Sequence, residues 1–253
     1  MKTSTFTRVT VDIVMAILFL LLMAYHITEN FVHEWIGVSA FGVFIIHNII
    51  NGRWYLNIFK GKYSPIRILY LFINLLFLLS VICTMVSGIM ISHDVFAFLD
   101  LKGGMTAQKL HMMSSSWGYI LMSCHSGLHL GQLIRFLNKS AFVRGIPQII
   151  SAALFLSAAC YGIYAFISQK ITNRIFLLTE FPFFDYEKPV PLFFTDYIFI
   201  MFLFAFLTYR FLTLRKRFNR NNSHETSSLT DPYSGRISLK AQLFRSDSSN
   251  PSE

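Results

Sequence analysis

An all-α integral membrane protein with six transmembrane helices is the fold class this sequence predicts, and three observations carry the prediction. Only 14% of the 253 residues are charged and 54% are hydrophobic, whereas soluble domains average about 25% charged residues. Apolar runs long enough to cross a bilayer, roughly 20 residues each, recur along the chain. Lysine and arginine gather on every second connection between those runs, as cation bias requires of a multi-span protein.

The first run covers residues 9–28 and follows Lys2 and Arg8. It reaches spanning length and ends in AYHITEN, without the short apolar region and small-residue cleavage site of a signal peptide, so it reads as a retained helix. Glu29 and Asn30 make a short connection without cations, and the second helix covers 32–54. Arg53, Lys60, Lys62 and Arg67 crowd the next loop, which Gly61 and Pro65 mark. The third span is 68–91. Between His93 and Lys109 the charges are mixed, with Gly103 and Gly104 as breakers.

The fourth helix covers 108–137, and Arg135, Lys139 and Arg144 close it. Pro147 suits the first turn of the fifth helix, 148–168, whose aromatic, proline-containing exit reads as an interfacial loop. The sixth span is 192–213, with RKRFNR directly behind it. Residues 221–253 are rich in Ser and Asn and poor in apolar residues, which predicts a disordered cytoplasmic tail.

Counting cations sets the topology. The N-terminal segment, the second and fourth connections and the run after the sixth span are basic. Both termini are therefore expected in the cytoplasm. The organisation expected is a four-helix core in 1–140, two additional helices in 141–220 and the tail in 221–253. The net charge of +9 reports topology and contact with an anionic bilayer, not nucleic acid. Cys83, Cys124 and Cys160 lie singly in three spans and form no CxxC pattern, so they read as small packing residues.

The chemistry is carried by histidines. His33 and His47 are fourteen residues apart on the second helix, and His111 and His125 are fourteen apart on the fourth. That spacing is close to four turns, so each pair leaves one helix face, roughly 21 Å apart along the axis. With six spans, the second and fourth helices run the same way. His33 then shares the outer level with His111, and His47 shares the inner level with His125. Two stacked cages with an imidazole on either side suit b-type haem, two groups per chain, with these four histidines as metal ligands. Ala40 and Gly118, midway along each pair, are small and leave room between the cages.

Other readings stand beside this one. A single membrane histidine can be a packing residue, although ionisable groups at membrane depth tend to be functional. Zinc is the rival ion, since His125 and His129 stand at i, i+4. Zinc usually wants a third ligand and a carboxylate base, and Glu34 is the only acid close in sequence to a paired histidine. His129 also shares the face of His111 and is an alternative inner ligand or a propionate donor. His26, near the outer level, is an alternative ligand, a propionate partner or a packing residue. Arg53 and Arg135, at inner helix ends, are candidate propionate partners as well as positive-inside anchors. Trp35 and Trp54 read as interface belt residues, and Trp117 as deep enough to pack on a porphyrin. His93 reads as interfacial, and His224 belongs to the tail.

The segment HEWIG, then nine residues, then HNIINGRW is similar to the opening signature of the flavinylation-associated membrane cytochromes. SCHSGLHLG resembles that family's second histidine cluster. The resemblance covers residues 8–140. It implies a four-helix b-haem core in a bacterial cell membrane that passes electrons across the bilayer, often to partners bearing covalent flavin on the outer side. It carries His33 and His47, and His111 with His125 or His129, over as ligands. No flavin-attachment sequence and no Gly-rich nucleotide motif is present, so any flavin belongs to another subunit. An inner-side donor would be a quinol or a reductase. Two readings from other classes remain: a permease whose histidines handle protons or substrate, although the paired Gly/Pro helix interruptions of transporters are missing, and an anchor subunit without a redox role.

Overall fold

The computed structural model describes residues 5–137, 148–180 and 185–230. The chain divides into two units, Met1–Tyr209 and Arg210–Glu253. The helices in order are α1 (Thr5–Met23), α2 (Tyr25–Ile50), the short α3 (Arg53–Asn57), α4 (Pro65–Met90), α5 (Gly104–Leu137), α6 (Gln148–Ser168), the short α7 (Ile171–Ile175) and α8 (Val190–Thr230). A single 3-10 turn, Ala97–Leu99, lies between α4 and α5. Among the described residues there is no strand. The protein is all-helical, as the composition requires.

Four helices are long and apolar enough to cross a membrane: Phe6–Met23, Tyr25–Ile50, Pro65–Met90 and Val190–Phe218. A shorter apolar helix covers Ala153–Ser168. The α5 helix is long but less apolar, because serines and histidines punctuate it. Most of those side chains face other helices: Ser114, Ser116 and Ser123 are buried, and the hydroxyls of Ser114 and Thr84 stand 2.9 Å apart across α4 and α5.

The helix ends have local causes. Before α2 proper, Glu29 takes φ 58° and ψ 176°, a conformation that costs a non-glycine residue about 1–3 kcal/mol, and the chain turns there. The expected second helix to residue 54 instead stops at Ile50. Asn51 folds its side chain back to donate to the His47 carbonyl at 2.9 Å, and Gly52 leads into α3. At the start of α4, the Ser64 side chain accepts from the Arg67 amide at 3.3 Å with Pro65 in the first turn, a conventional cap. The expected disorder from residue 221 is corrected in part: α8 continues to Thr230. A helix already nucleated by an apolar span adds residues at little cost. Pro147 and residues 231–253 lie outside the described residues.

Two hairpins form the N-terminal half, α1 with α2 and α4 with α5, each packed far more closely within itself than against the other. The seam between them is occupied by side chains, with α2 making only slight backbone approach to α4. On the other side of α5, α8 comes very close. A Cβ on Gly127 would lie 2.4 Å from the Ala205 carbonyl oxygen, and one on Gly162 of α6 2.6 Å from that of Phe199. These small residues let three helices approach closely. After α6, Ile171, Arg174 and Ile175 of α7 are buried, while Phe176, Leu178 and Tyr186 are exposed. Arg174 Nη1 donates to the Tyr197 hydroxyl at 3.1 Å.

Candidate functional site

The seam between the hairpins brings the four spaced histidines together in pairs. The ring centres of His33 and His111 are 6.3 Å apart at an interplanar angle of 74°. Those of His47 and His125 are also 6.3 Å apart, at 78°. The matched levels require α2 and α5 to run in the same direction. Two imidazoles on opposite sides of one metal, each bonded at about 2.0–2.1 Å through a ring nitrogen, also place their ring centres about 6 Å apart. Both levels meet that spacing without a helix between the partners.

Hydrogen bonds at Nδ1 orient three of the four rings. His125 Nδ1 lies 2.8 Å from Asn74 Oδ1, His47 Nδ1 2.8 Å from Asp12 Oδ1, and His111 Nδ1 3.0 Å from the Thr84 carbonyl. An amide oxygen, a carboxylate and a carbonyl accept here, so Nδ1 carries the proton and Nε2 keeps its lone pair. This is the tautomer that metal-binding histidines adopt when an outer partner holds them. Only Asn51 Nδ2, at 3.5 Å, comes near Nε2 of His47, which is a marginal contact. Nδ1 of His33 is buried and has no hydrogen-bond partner among the described residues. Gly88 on α4 leaves space for the His111 ring, whose Cε1 would lie 3.2 Å from a Cβ there.

Asp12 is the residue the sequence reading missed. It is 35 residues from His47, and the packing of α1 on α2 brings the two together. The signal for it is a lone acid within an otherwise apolar span, where charge is costly without a purpose. Glu34, by contrast, is not an available base. Its carboxylate accepts from Ser92 Oγ at 2.6 Å, from the amides of His93, Asp94 and Val95, and from Asn30 Nδ2. It pins the connection between α4 and α5 to α2 beside His33.

The remaining candidates are placed less centrally. His129 is exposed, with its ring centre 5.2 Å from that of His125. The ring of His26 packs on Phe193 at 4.7 Å and Tyr186 at 5.9 Å, toward the start of α8. Trp117 is 38% exposed and meets Phe176, on a different face of α5 from the paired histidines. Gly118 is buried on α5, where a Cβ would lie 3.3 Å from the Ser80 hydroxyl of α4, and Ala40 is buried on α2. The space between the levels also holds bulk, since the rings of Phe44 and Phe77 meet at 6.2 Å. Arg53 opens α3 and is exposed. The side chains of Arg135 and His224 lie outside the described residues. The three cysteines are unpaired with one another, and Cys160 is exposed.

Among the described residues, no group of three or more His, Cys, Asp or Glu side chains is arranged to hold a metal ion. Each level instead brings two imidazoles together. No protein-family model, curated protein or solved structure matches this chain.

Proposed function

We propose that this protein is a di-haem b-type membrane cytochrome that relays single electrons across the bilayer between an inner-side donor and an outer-side acceptor. The observation that carries the proposal is the pair of imidazole couples, level with level, at 6.3 Å. His33 and His111 would hold the outer haem b, and His47 and His125 the inner one. Bound there, haem supplies a one-electron carrier whose potential depends on its ligands, their outer partners and burial.

The chain's own residues do the rest. Asn74, Asp12 and the Thr84 carbonyl keep three rings in the ligating tautomer. The apolar seam excludes water, and Phe44 and Phe77 fill the space between levels. The levels stand roughly 21 Å apart along the axis, which sets one near each face of a hydrocarbon core of about 30 Å.

Six spans fit this reading. The α5 helix, at 34 residues, measures about 51 Å, and α6, at 21 residues, also reaches across the hydrocarbon. The cation pattern then supports cytoplasmic termini, and the resemblance supports a bacterial cell membrane. The inner donor would be a quinol or a reductase, and the outer acceptor a flavoprotein, as the resemblance implies, or another extracytoplasmic oxidoreductase.

A reduced-minus-oxidised absorption spectrum of the purified protein tests the proposal, with pyridine haemochrome analysis for stoichiometry. Sharp haem bands and two haems per chain are expected. A folded protein expressed with haem available but lacking those bands ends the cytochrome reading and leaves the permease or anchor.

A further inference from the structure

The two levels differ in what holds their rings. At the inner level, His47 donates Nδ1–H to the carboxylate of Asp12 at 2.8 Å, and His125 donates to the amide oxygen of Asn74 at 2.8 Å. At the outer level, His111 has the Thr84 carbonyl at 3.0 Å and the Ser87 hydroxyl at 3.3 Å. His33 Nδ1 is buried without a hydrogen-bond partner among the described residues. One couple therefore leans on a charged acceptor and a neutral one, the other on a neutral acceptor and none.

That difference has a chemical sign. An acceptor on Nδ1–H draws the proton toward itself and makes Nε2 a stronger base. A stronger donor favours the oxidised, more positive state of the metal it binds and so lowers the reduction potential. A carboxylate does this more than an amide or carbonyl, because charge-assisted bonds are roughly twice as strong as neutral ones. We propose that Asp12, through its bond to His47, is a positioning residue that gives the inner centre the lower reduction potential of the two. This inference rests on the haem reading above and adds an order of potentials to it.

Other charges near the levels do not reverse the order. Glu34 adjoins His33 in sequence, but five donors share its carboxylate and none is an imidazole ring. Of the inner-side cations, Arg53, Lys60 and Lys62 are exposed, where water and salt screen them, and the half-buried Arg67 is held by the carbonyls of Asn57, Ile58 and Lys62. Asp12 is itself 54% exposed, yet it acts through a shared proton at bonding distance, which screening does not remove.

With this order, haems held by these histidines would pass one electron from the inner centre to the outer one with a fall in free energy, the inner centre oxidised and the outer reduced by one electron. No bond forms or breaks, and the Nδ1 proton remains on His47. The gradient favours outward transfer.

Redox titration of the full-length holoprotein, followed by absorbance, tests the order. Two midpoint potentials are expected. The His47→Ala variant should lose the lower one. In Asp12→Asn the hydrogen bond survives without the charge, so the lower potential should rise by about 59 mV, a tenfold change in a one-electron equilibrium, while the upper one stays. In Asp12→Glu the lower potential should stay near its original value. Loss of the higher potential in His47→Ala overturns the inference, even if no Asp12 variant folds. So does an Asp12→Asn protein with both haems and unshifted potentials. Both outcomes leave the haem reading standing, whereas a wild-type protein without haem bands removes the reading itself.

Discussion

Asn74 Oδ1 on α4 and His125 Nδ1 on α5 stand 2.8 Å apart, so a neutral amide of one helix fixes the ring of the next. The two residues are 51 positions apart in sequence. Only the close α4–α5 hairpin brings them into register, and the same hairpin carries His111 against Thr84. Ring orientation at both levels is thus a property of that hairpin as much as of the histidines.

Replacing Asn74 with leucine keeps the volume and removes the acceptor. His125 would then lose its outer partner, a change that typically costs 10–100-fold in metal affinity. Purified Asn74→Leu protein should hold about one haem instead of two, with the outer haem spectrum retained. Full occupancy with an unchanged spectrum would show that Asn74 does not orient a ligand.

Gly88 gives a steric test of the outer level. A Cβ there would lie 3.2 Å from His111 Cε1 and 3.4 Å from Nδ1, tighter than ordinary contact. Alanine should shift the ring by a few tenths of an ångström and perturb the outer haem bands. Valine adds two methyl groups beside the ring, so Gly88→Val should lose the outer haem while keeping the inner one. Quantitative haemochrome analysis of both variants gives the series. If Gly88→Val binds two haems normally, the His111 ring does not occupy this position in the holoprotein.

The histidine pairs were legible because two independent patterns agree: the fourteen-residue spacing, and the alternating cations from which parallel second and fourth spans were expected. Asp12 was not legible as a partner of His47, since only the packing of α1 on α2 joins them. Trp117 shows a misread pattern. It lies six residues after His111, about 240° round the helix, so it cannot share the histidine face, and the structure turns it to Phe176. Gly118, two turns from both His111 and His125, lies on the histidine face, where a Cβ would meet Ser80 of α4. The α5 helix looked like an ordinary span from its length, while its serines and histidines lower its hydropathy because they serve neighbouring helices. Spacing and length were visible in one dimension. Azimuth needed neighbours.

Glu34 holds the connection between α4 and α5 in place by accepting from three successive amides, His93, Asp94 and Val95. Glu34→Ala leaves those donors without their acceptor and frees the segment from α2. Amide hydrogen exchange at 93–95 should then accelerate by at least tenfold, with little change in α5. Unaltered protection at those amides would mean that the connection is held by other contacts.

The last test concerns a buried ion pair on the α6–α8 side. Asp196 is 0% exposed. Its carboxylate accepts from Lys188 Nζ, from the Tyr161 hydroxyl at 2.8 Å and from Gln169 Nε2 at 2.9 Å. Lys188 is the only cation among these partners, and its side chain is 13% exposed. Removing it leaves a buried carboxylate with two neutral donors, a loss of about 3–5 kcal/mol. Lys188→Met should therefore lower the thermal unfolding midpoint of the detergent-solubilised protein by several degrees. Adding Asp196→Asn removes the stranded charge, since the amide oxygen can still accept from Tyr161 or Gln169, and should recover most of that loss. Measured in the same melting series, a double variant no more stable than Lys188→Met would show that the lysine contributes by packing its stem and not by balancing the charge.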